Sequence, residues 1–128
     1  MASMKAKKGN PFERDVEESL RQKYPDAKRT HEEGYFSQYD ILVPSQKICI
    51  ECKRLRGMSW NQALGFLDKL KKVAPKDYQC LLLFQSNRQP CLVMHDDVSD
   101  SVGVHTFEQY FGVQFKKHTP ITKKNGVI

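Results

Sequence analysis

The sequence of 128 residues has no long hydrophobic run, no internal repeat and no low-complexity block. No apolar stretch approaches the roughly 20 residues that a membrane-spanning helix needs, so a protein built on such helices is excluded. The basic amino terminus lacks the apolar segment and cleavage site of a secretory signal, and we therefore expect a cytoplasmic protein. A chain of this length predicts a single domain over residues 1–128, with a basic arm at about 1–8 and a basic tail at about 116–128.

The cysteines do not form a recognisable zinc or disulfide pattern. The one CxxC motif, Cys49 to Cys52, has neither a second CxxC nor a histidine pair near it. It also lies in a segment of strand character, where residues three apart point to opposite faces of the sheet. The four cysteines are therefore predicted to be small core residues of a protein in a reducing compartment.

The composition is biased toward basic residues. Lysine and arginine number 21 against 15 acidic residues, a net charge of +6, and 39% of the residues are hydrophobic. This composition is typical of a globular domain, and its basic excess predicts a polyanionic partner, either nucleic acid or an acidic membrane surface.

The amino-terminal half predicts one helix and then strands. A helix begins at the Asn10 cap, with Pro11 in its first turn, and ends at Tyr24. Its apolar stripe has a spacing of four: Phe12, Val16 and Leu20. Short strands are expected over Ala27–Thr30, Tyr39–Val43 and Lys47–Arg54, the last two joined as a hairpin by a Pro-Ser-Gln turn.

The second half predicts a second helix, two strands and a short third helix. Ser59 and Gln62 form a capping box that opens a helix running to Pro75, with Trp60 on its buried side and Lys69, Lys71, Lys72 and Lys76 on or just past its solvated face. Strands follow over YQCLLLFQ, predicted to be central, and QPCLVMH. A capping box at Thr106 and Gln109 opens the short helix FEQYF, which Gly112 closes. The expected fold class is α/β, a central mixed sheet flanked by helices.

Two carboxylates and a lysine are predicted to meet on the hairpin. Along Lys47–Arg54, Glu51 and Lys53 share a face, because alternate residues of a strand point the same way. If Ser45 and Gln46 are the turn residues, Asp40 lies directly opposite Glu51. In the alternative structural interpretation, Asp40 and Glu51 flank the turn and pair with lysines.

Opposed carboxylates repel each other and destabilise a sheet, so a divalent cation is the expected compensation. Oxygen ligands favour Mg²⁺ over zinc, with Mn²⁺ as a substitute. A Mg²⁺ ion held by carboxylates beside a substrate phosphate is the usual arrangement for phosphodiester hydrolysis, with Lys53 placed to orient the attacking water or stabilise charge on the phosphate.

These residues resemble a known family. Asp40, Glu51 and Lys53 match the D...ExK signature of the PD-(D/E)XK nuclease superfamily, with Tyr39 in place of the nominal proline. KGNPFERDVE resembles the KGxxxERE opening of archaeal-type Holliday-junction resolvases, and the resemblance extends from about Lys8 to Arg54.

The resemblance implies a restriction-endonuclease-like core in which Glu13 joins the catalytic and metal-binding set of Asp40, Glu51 and Lys53. It also implies a homodimer, since a four-way junction has approximate twofold symmetry and needs two cuts. The residues that it assigns to DNA or to water positioning are Arg14, Arg29, Gln62 and a loop hydroxyl, from either Ser37 or Thr30. Arg54 follows the active strand and extends its basic character.

The hypothesis that follows is a magnesium-dependent endodeoxyribonuclease that resolves four-way DNA junctions in recombination and repair. A chain this short has little material for base reading, which favours recognition of DNA shape. The alternative is another small PD-(D/E)XK nuclease that acts on duplex, flap or nicked DNA. A third possibility is a non-catalytic DNA-binding module with the same fold.

Overall fold

A computed structural model of the chain describes residues 11–30, 38–86, 89–96 and 101–116. The predicted arm at 1–8 and nearly all of the predicted tail lie outside these residues, as does Ser37. The helices and strands in chain order are α1 (Pro11–Leu20), β1 (Lys28–Arg29), β2 (Ile41–Val43), β3 (Ile48–Arg54), α2 (Trp60–Val73), β4 (Gln79–Gln85), β5 (Leu92–Asp96), β6 (Val102–Thr106) and α3 (Phe107–Phe111).

The six strands form one mixed sheet in the order β1-β2-β3-β4-β5-β6. β3 and β4 run parallel and are connected through α2, as a parallel pair requires, whereas the other neighbouring strands are antiparallel. The prediction of an α/β fold with a central mixed sheet is confirmed, and so is the interior position of β4.

Helices cover both faces of the sheet and pack against its apolar residues. On one face, α1 and α3 pack against residues such as Ile50, Leu81 and Val93. On the other face, α2 packs against Leu82 and Met94. The odd and even positions of β3 therefore face different layers, and Glu51 and Lys53 lie on the side of α2.

The helix α1 begins as expected and ends earlier than expected. Its buried stripe of Phe12, Val16 and Leu20 is confirmed. The helix ends at Leu20 rather than Tyr24, because the backbone N–H groups of Gln22 and Lys23 bond to carbonyls three residues back; Lys23 N–H donates to the Leu20 carbonyl at 2.9 Å. This tightened turn redirects the chain into β1.

The cysteines are core residues, as the sequence predicts. Cys49, Cys52 and Cys91 are buried and Cys80 is half-buried, all as free thiols. Burial raises the pKa of each of these thiols, which keeps them protonated and unreactive.

The prediction that Trp60 belongs to the core is wrong. The Ser59–Gln62 capping box is present and α2 runs to Val73, but Trp60 is 52% exposed. The buried residues of α2 are Ala63, Leu67 and Leu70, so the contribution of the helix to the core begins at Ala63 and not at Trp60.

The carboxyl-terminal part adds a strand that was not predicted. β6 pairs with β5 at the edge of the sheet, and its sequence VGVHT contains a glycine and only half-buried apolar residues. The short helix α3 is confirmed, with the Thr106–Gln109 capping box and Gly112 at φ 78° as its left-handed cap. Within the described residues, none of the helices combines the length and the apolar character that crossing a bilayer demands.

Candidate active site

The β2–β3 hairpin has the predicted register. Val43 pairs with Ile48 and Ile41 with Ile50, so one further step along the ladder sets Asp40 against Glu51. The connection is a 3₁₀ turn over Pro44–Gln46 followed by Lys47 in the left-handed conformation at φ 53°. The turn type differs from a simple two-residue turn, yet the register, and with it the opposition of the two carboxylates, is the same.

Asp40 is fixed by the strand beside it. Its backbone N–H donates to the Ile50 carbonyl at 2.9 Å, and its carboxylate Oδ2 accepts from the Cys52 N–H at 2.8 Å. At the point where β2 begins, the Asp40 carboxylate thus accepts the Cys52 N–H in place of a backbone carbonyl. The carboxylate is therefore positioned before any ligand binds.

Glu13 approaches the same point from α1. The pKa of Glu13 is raised to about 8, chiefly by burial and then by the negative charge of Asp40, a hydrogen bond to the Asp40 carboxyl and the charge of Glu51, while Arg29 opposes the rise. Near neutral pH, Glu13 is therefore mostly protonated and donates to Asp40. Three acidic residues from three different elements are close enough to interact.

Glu51 and Lys53 form the other half of the cluster. Burial and then the charge of Asp40 raise the pKa of Glu51, whereas Lys53 and Lys69 lower it. Lys53 Nζ lies 3.3 Å from Glu51 Oε2 and 4.5 Å from the centroid of the Phe66 ring. Contacts with a carboxylate and an aromatic face thus hold the ammonium group in place.

A cleft of about 350 Å³ opens beside this cluster, between β3 and α2. Its residues are Gln38, Glu51, Lys53, Phe66, Lys69, Leu70, Lys72 and Val73. Lys69 and Lys72, which the sequence predicts to lie on the solvated face of the helix with contact to DNA as the alternative, therefore belong to the cleft. Helical periodicity groups these lysines, but only the packing of α2 on β3 directs them toward Glu51.

The chemistry of the carboxylate cluster fits a hard divalent cation, although the donors are not arranged as a ready-made site. Among the residues that the structure describes, no three histidine, cysteine, aspartate or glutamate side chains are placed as a metal-binding group. The reason is that Glu13 is hydrogen-bonded to Asp40, and Glu51 contacts Lys53. A cation would replace these contacts and relieve the repulsion that raises both glutamate pKa values.

The two arginines predicted to contact DNA have different surroundings. Arg29 Nε lies 3.1 Å from Glu17 Oε1, and the Arg29 side chain is only 13% exposed, so this residue anchors β1 to α1 beside Glu13. Arg14 has a buried Nε that forms no hydrogen bond within the described residues. Arg54 is exposed at the end of β3.

Gln62 and Thr30 have structural contacts within the described residues. Gln62 is exposed and its side-chain oxygen accepts from the Ser59 N–H at 3.0 Å, so it serves as part of the helix cap. The hydroxyl of Thr30 donates to the Tyr39 carbonyl, which braces the residue next to Asp40. Ser37, the other candidate for the loop hydroxyl, lies outside the described residues.

A pair of histidines was also missed by the sequence reasoning. His95 on β5 and His105 on β6 lie with Nε2 and Nδ1 3.0 Å apart, and the Tyr110 ring packs against His95. The sequence interval of ten residues gives no sign of this contact without the unpredicted strand β6.

The candidate site is interpreted from its own residues and distances. Protein-family models, curated proteins and solved structures were each compared with the chain, and none of them matches it.

Proposed function

We propose that the protein is a magnesium-dependent endodeoxyribonuclease that cuts branched DNA, with the four-way junction as its substrate. The observation that carries the proposal is the convergence of Glu13, Asp40 and Glu51 in one partly buried cluster, where burial first, and then the charge of Asp40, raises the pKa values of both glutamates. A fold that maintains such repulsion without a ligand gains nothing from it, whereas a divalent cation makes it favourable.

Glu13, Asp40 and Glu51 would hold Mg²⁺, with Mn²⁺ as a substitute, because hard cations prefer carboxylate oxygens. When bound, the ion would polarise the phosphate and lower the pKa of a water molecule. Asp40 is already oriented by the Cys52 N–H, so this ligand needs little reorganisation. Glu13 must lose its proton before it can bind the ion.

Lys53 is the residue best placed to contact the substrate. Its ammonium group lies between Glu51 and the Phe66 ring, and the side chain is 31% exposed toward the cleft. Once Glu51 binds a cation, the ammonium group becomes available to a phosphate oxygen or to the attacking water.

Net charge supports DNA as the substrate. The chain carries 21 basic and 15 acidic residues, so the carboxylates form a local negative pocket on a basic protein. The resemblance to archaeal-type Holliday-junction resolvases adds a restriction-endonuclease-like core and a homodimer to the proposal, and places the activity in recombination and repair.

Cleavage of matched substrates tests this function. Labelled four-way junction, flap, nicked and plain duplex DNA of the same sequences are incubated with the protein in Mg²⁺ or in chelator. We expect cutting of the junction at paired positions in Mg²⁺ and no cutting in chelator. Preferred cutting of duplex or flap would support the alternative nuclease, and binding without any cutting would support a non-catalytic module.

A further inference from the structure

The cleft between β3 and α2 is more positive than a hydrolytic metal site alone requires. Its charged residues are one carboxylate, Glu51, and three lysines, Lys53, Lys69 and Lys72. The sum is a charge of +2 on the walls of one cleft, directly beside the acidic cluster. A negatively charged group is therefore attracted to the α2 side of Glu51.

The lysines of α2 are divided between two roles. Lys71 forms an ion pair with Asp96 of β5, on the other side of the helix. In the part of the chain that the structure describes, no ion pair involves Lys69 or Lys72. The charges of these two residues are therefore not compensated by a neighbouring carboxylate in the way that the charge of Lys71 is.

The shape of the cleft suits a sugar-phosphate unit. Its lining combines three apolar side chains, Phe66, Leu70 and Val73, with the three lysines. A volume of about 350 Å³ is at the lower end of the range for binding sites of small molecules. A deoxyribose fits against apolar side chains while its phosphate oxygens reach ammonium groups.

We propose that this cleft binds the DNA backbone adjacent to the scissile phosphate, with Lys69 and Lys72 as the phosphate-binding residues of α2. The inference rests on the proposed function and extends it by naming the surface that guides the strand to Glu51 and Lys53. Lys71 and Lys76 do not take part.

Equilibrium binding to a four-way junction in chelator tests the assignment without requiring catalysis. Lys69→Gln and Lys72→Gln are compared with Lys76→Gln, which removes the same charge from an exposed lysine just past the helix. We expect each cleft variant to bind more weakly and to lower the slope of log K against log salt concentration by about one, and the double variant by about two. Lys76→Gln should bind as the wild type does.

Arginine variants and the behaviour of the wild type distinguish failure of the cleft assignment from failure of the proposed function. Lys69→Arg and Lys72→Arg keep the charge and should restore most of the binding, which a merely structural role for the lysines would not predict. If wild-type protein binds and cuts DNA while both glutamine variants behave like Lys76→Gln, the cleft assignment is wrong and the nuclease stands. If the wild type neither binds nor cuts any of the substrates, the proposed function itself fails.

Discussion

The carboxylate of Asp40 accepts a 2.8 Å hydrogen bond from the backbone N–H of Cys52, the residue after Glu51 on the neighbouring strand. This contact fixes Asp40 opposite Glu51. Glu13 completes the cluster by donating a hydrogen bond to Asp40. The stability of the metal-free protein should therefore depend on what replaces the Asp40 carboxylate.

Asp40→Asn keeps an oxygen that can accept from the Cys52 N–H, but it removes the charge that raises the pKa of Glu13. Asp40→Ala removes both the charge and the acceptor. We expect the alanine variant to have a free energy of unfolding about 1 kcal/mol below that of the asparagine variant, since the N–H loses its partner. Urea unfolding in chelator at pH 8 measures the difference, and equal values would show that the hydrogen bond does not stabilise the fold.

The raised pKa of Glu13 predicts how stability changes with pH. Between the ordinary value of 4.5 and the folded value of about 8, the folded state binds more protons than the unfolded state. The contribution of Glu13 to stability is therefore complete below pH 4.5 and is lost as the pH rises through 8. The raised pKa of Glu51 contributes with the same sign.

Thermal unfolding of metal-free protein from pH 5 to pH 9 checks this behaviour. The Tm of the wild type relative to that of Glu13→Gln should fall across the interval, because the variant has no carboxyl group to ionise. Glu18→Gln on the exposed side of α1 is the matched control and should follow the wild type. A constant difference between the wild type and Glu13→Gln would mean that Glu13 titrates normally.

Cation binding should release a proton. At pH 7, most of the Glu13 carboxyl is protonated, and a metal ligand must be ionised, so binding of Mg²⁺ or Mn²⁺ should expel about one proton. Calorimetry in two buffers of different ionisation enthalpy measures the number released. We expect the release to diminish at pH 9, and to be absent in Glu13→Gln. Proton release equal to that of the wild type in this variant would assign the proton to another group.

The contact between Lys53 and Phe66 predicts a positioning role for the aromatic ring. Phe66→Leu keeps an apolar side chain but removes the ring face that lies 4.5 Å from Lys53 Nζ. A cation–π contact of about 1 kcal/mol corresponds to roughly a fivefold loss, expected in kcat with KM unchanged. Phe115→Leu, a partly buried aromatic position in the apolar cluster on the opposite face of the sheet, is the control and should keep the wild-type rate. Equal rates for the two variants would remove Phe66 from the site.

Local patterns in the sequence were sufficient to predict that Asp40 and Glu51 lie opposite each other at the centre of the site. The register that opposes Asp40 to Glu51 follows from the length of the hairpin connection and from strand alternation, both of which are local. The capping boxes at Ser59 and Thr106 are also local and are confirmed.

Features that depend on packing could not be predicted in this way. The sequence assigns Lys69, Lys71 and Lys72 alike to the solvated face of α2, and the docking of α2 on β3 decides which of them line the cleft. Trp60 fits the apolar spacing of α2, yet its side chain is exposed and the buried stripe begins at Ala63. Strand β6 was missed because Gly103 and half-buried neighbours give little alternation.

Cleavage of a labelled four-way junction by wild type and Asp40→Asn, with binding measured on the same samples, tests the central claim most directly. The asparagine variant keeps the acceptor for the Cys52 N–H but loses a ligand for the cation. We predict that the wild type cuts in Mg²⁺ and not in chelator, and that Asp40→Asn binds the junction without cutting it. Cutting by the variant at the wild-type rate, or by the wild type in chelator, would contradict a metal-dependent site at Glu13, Asp40 and Glu51.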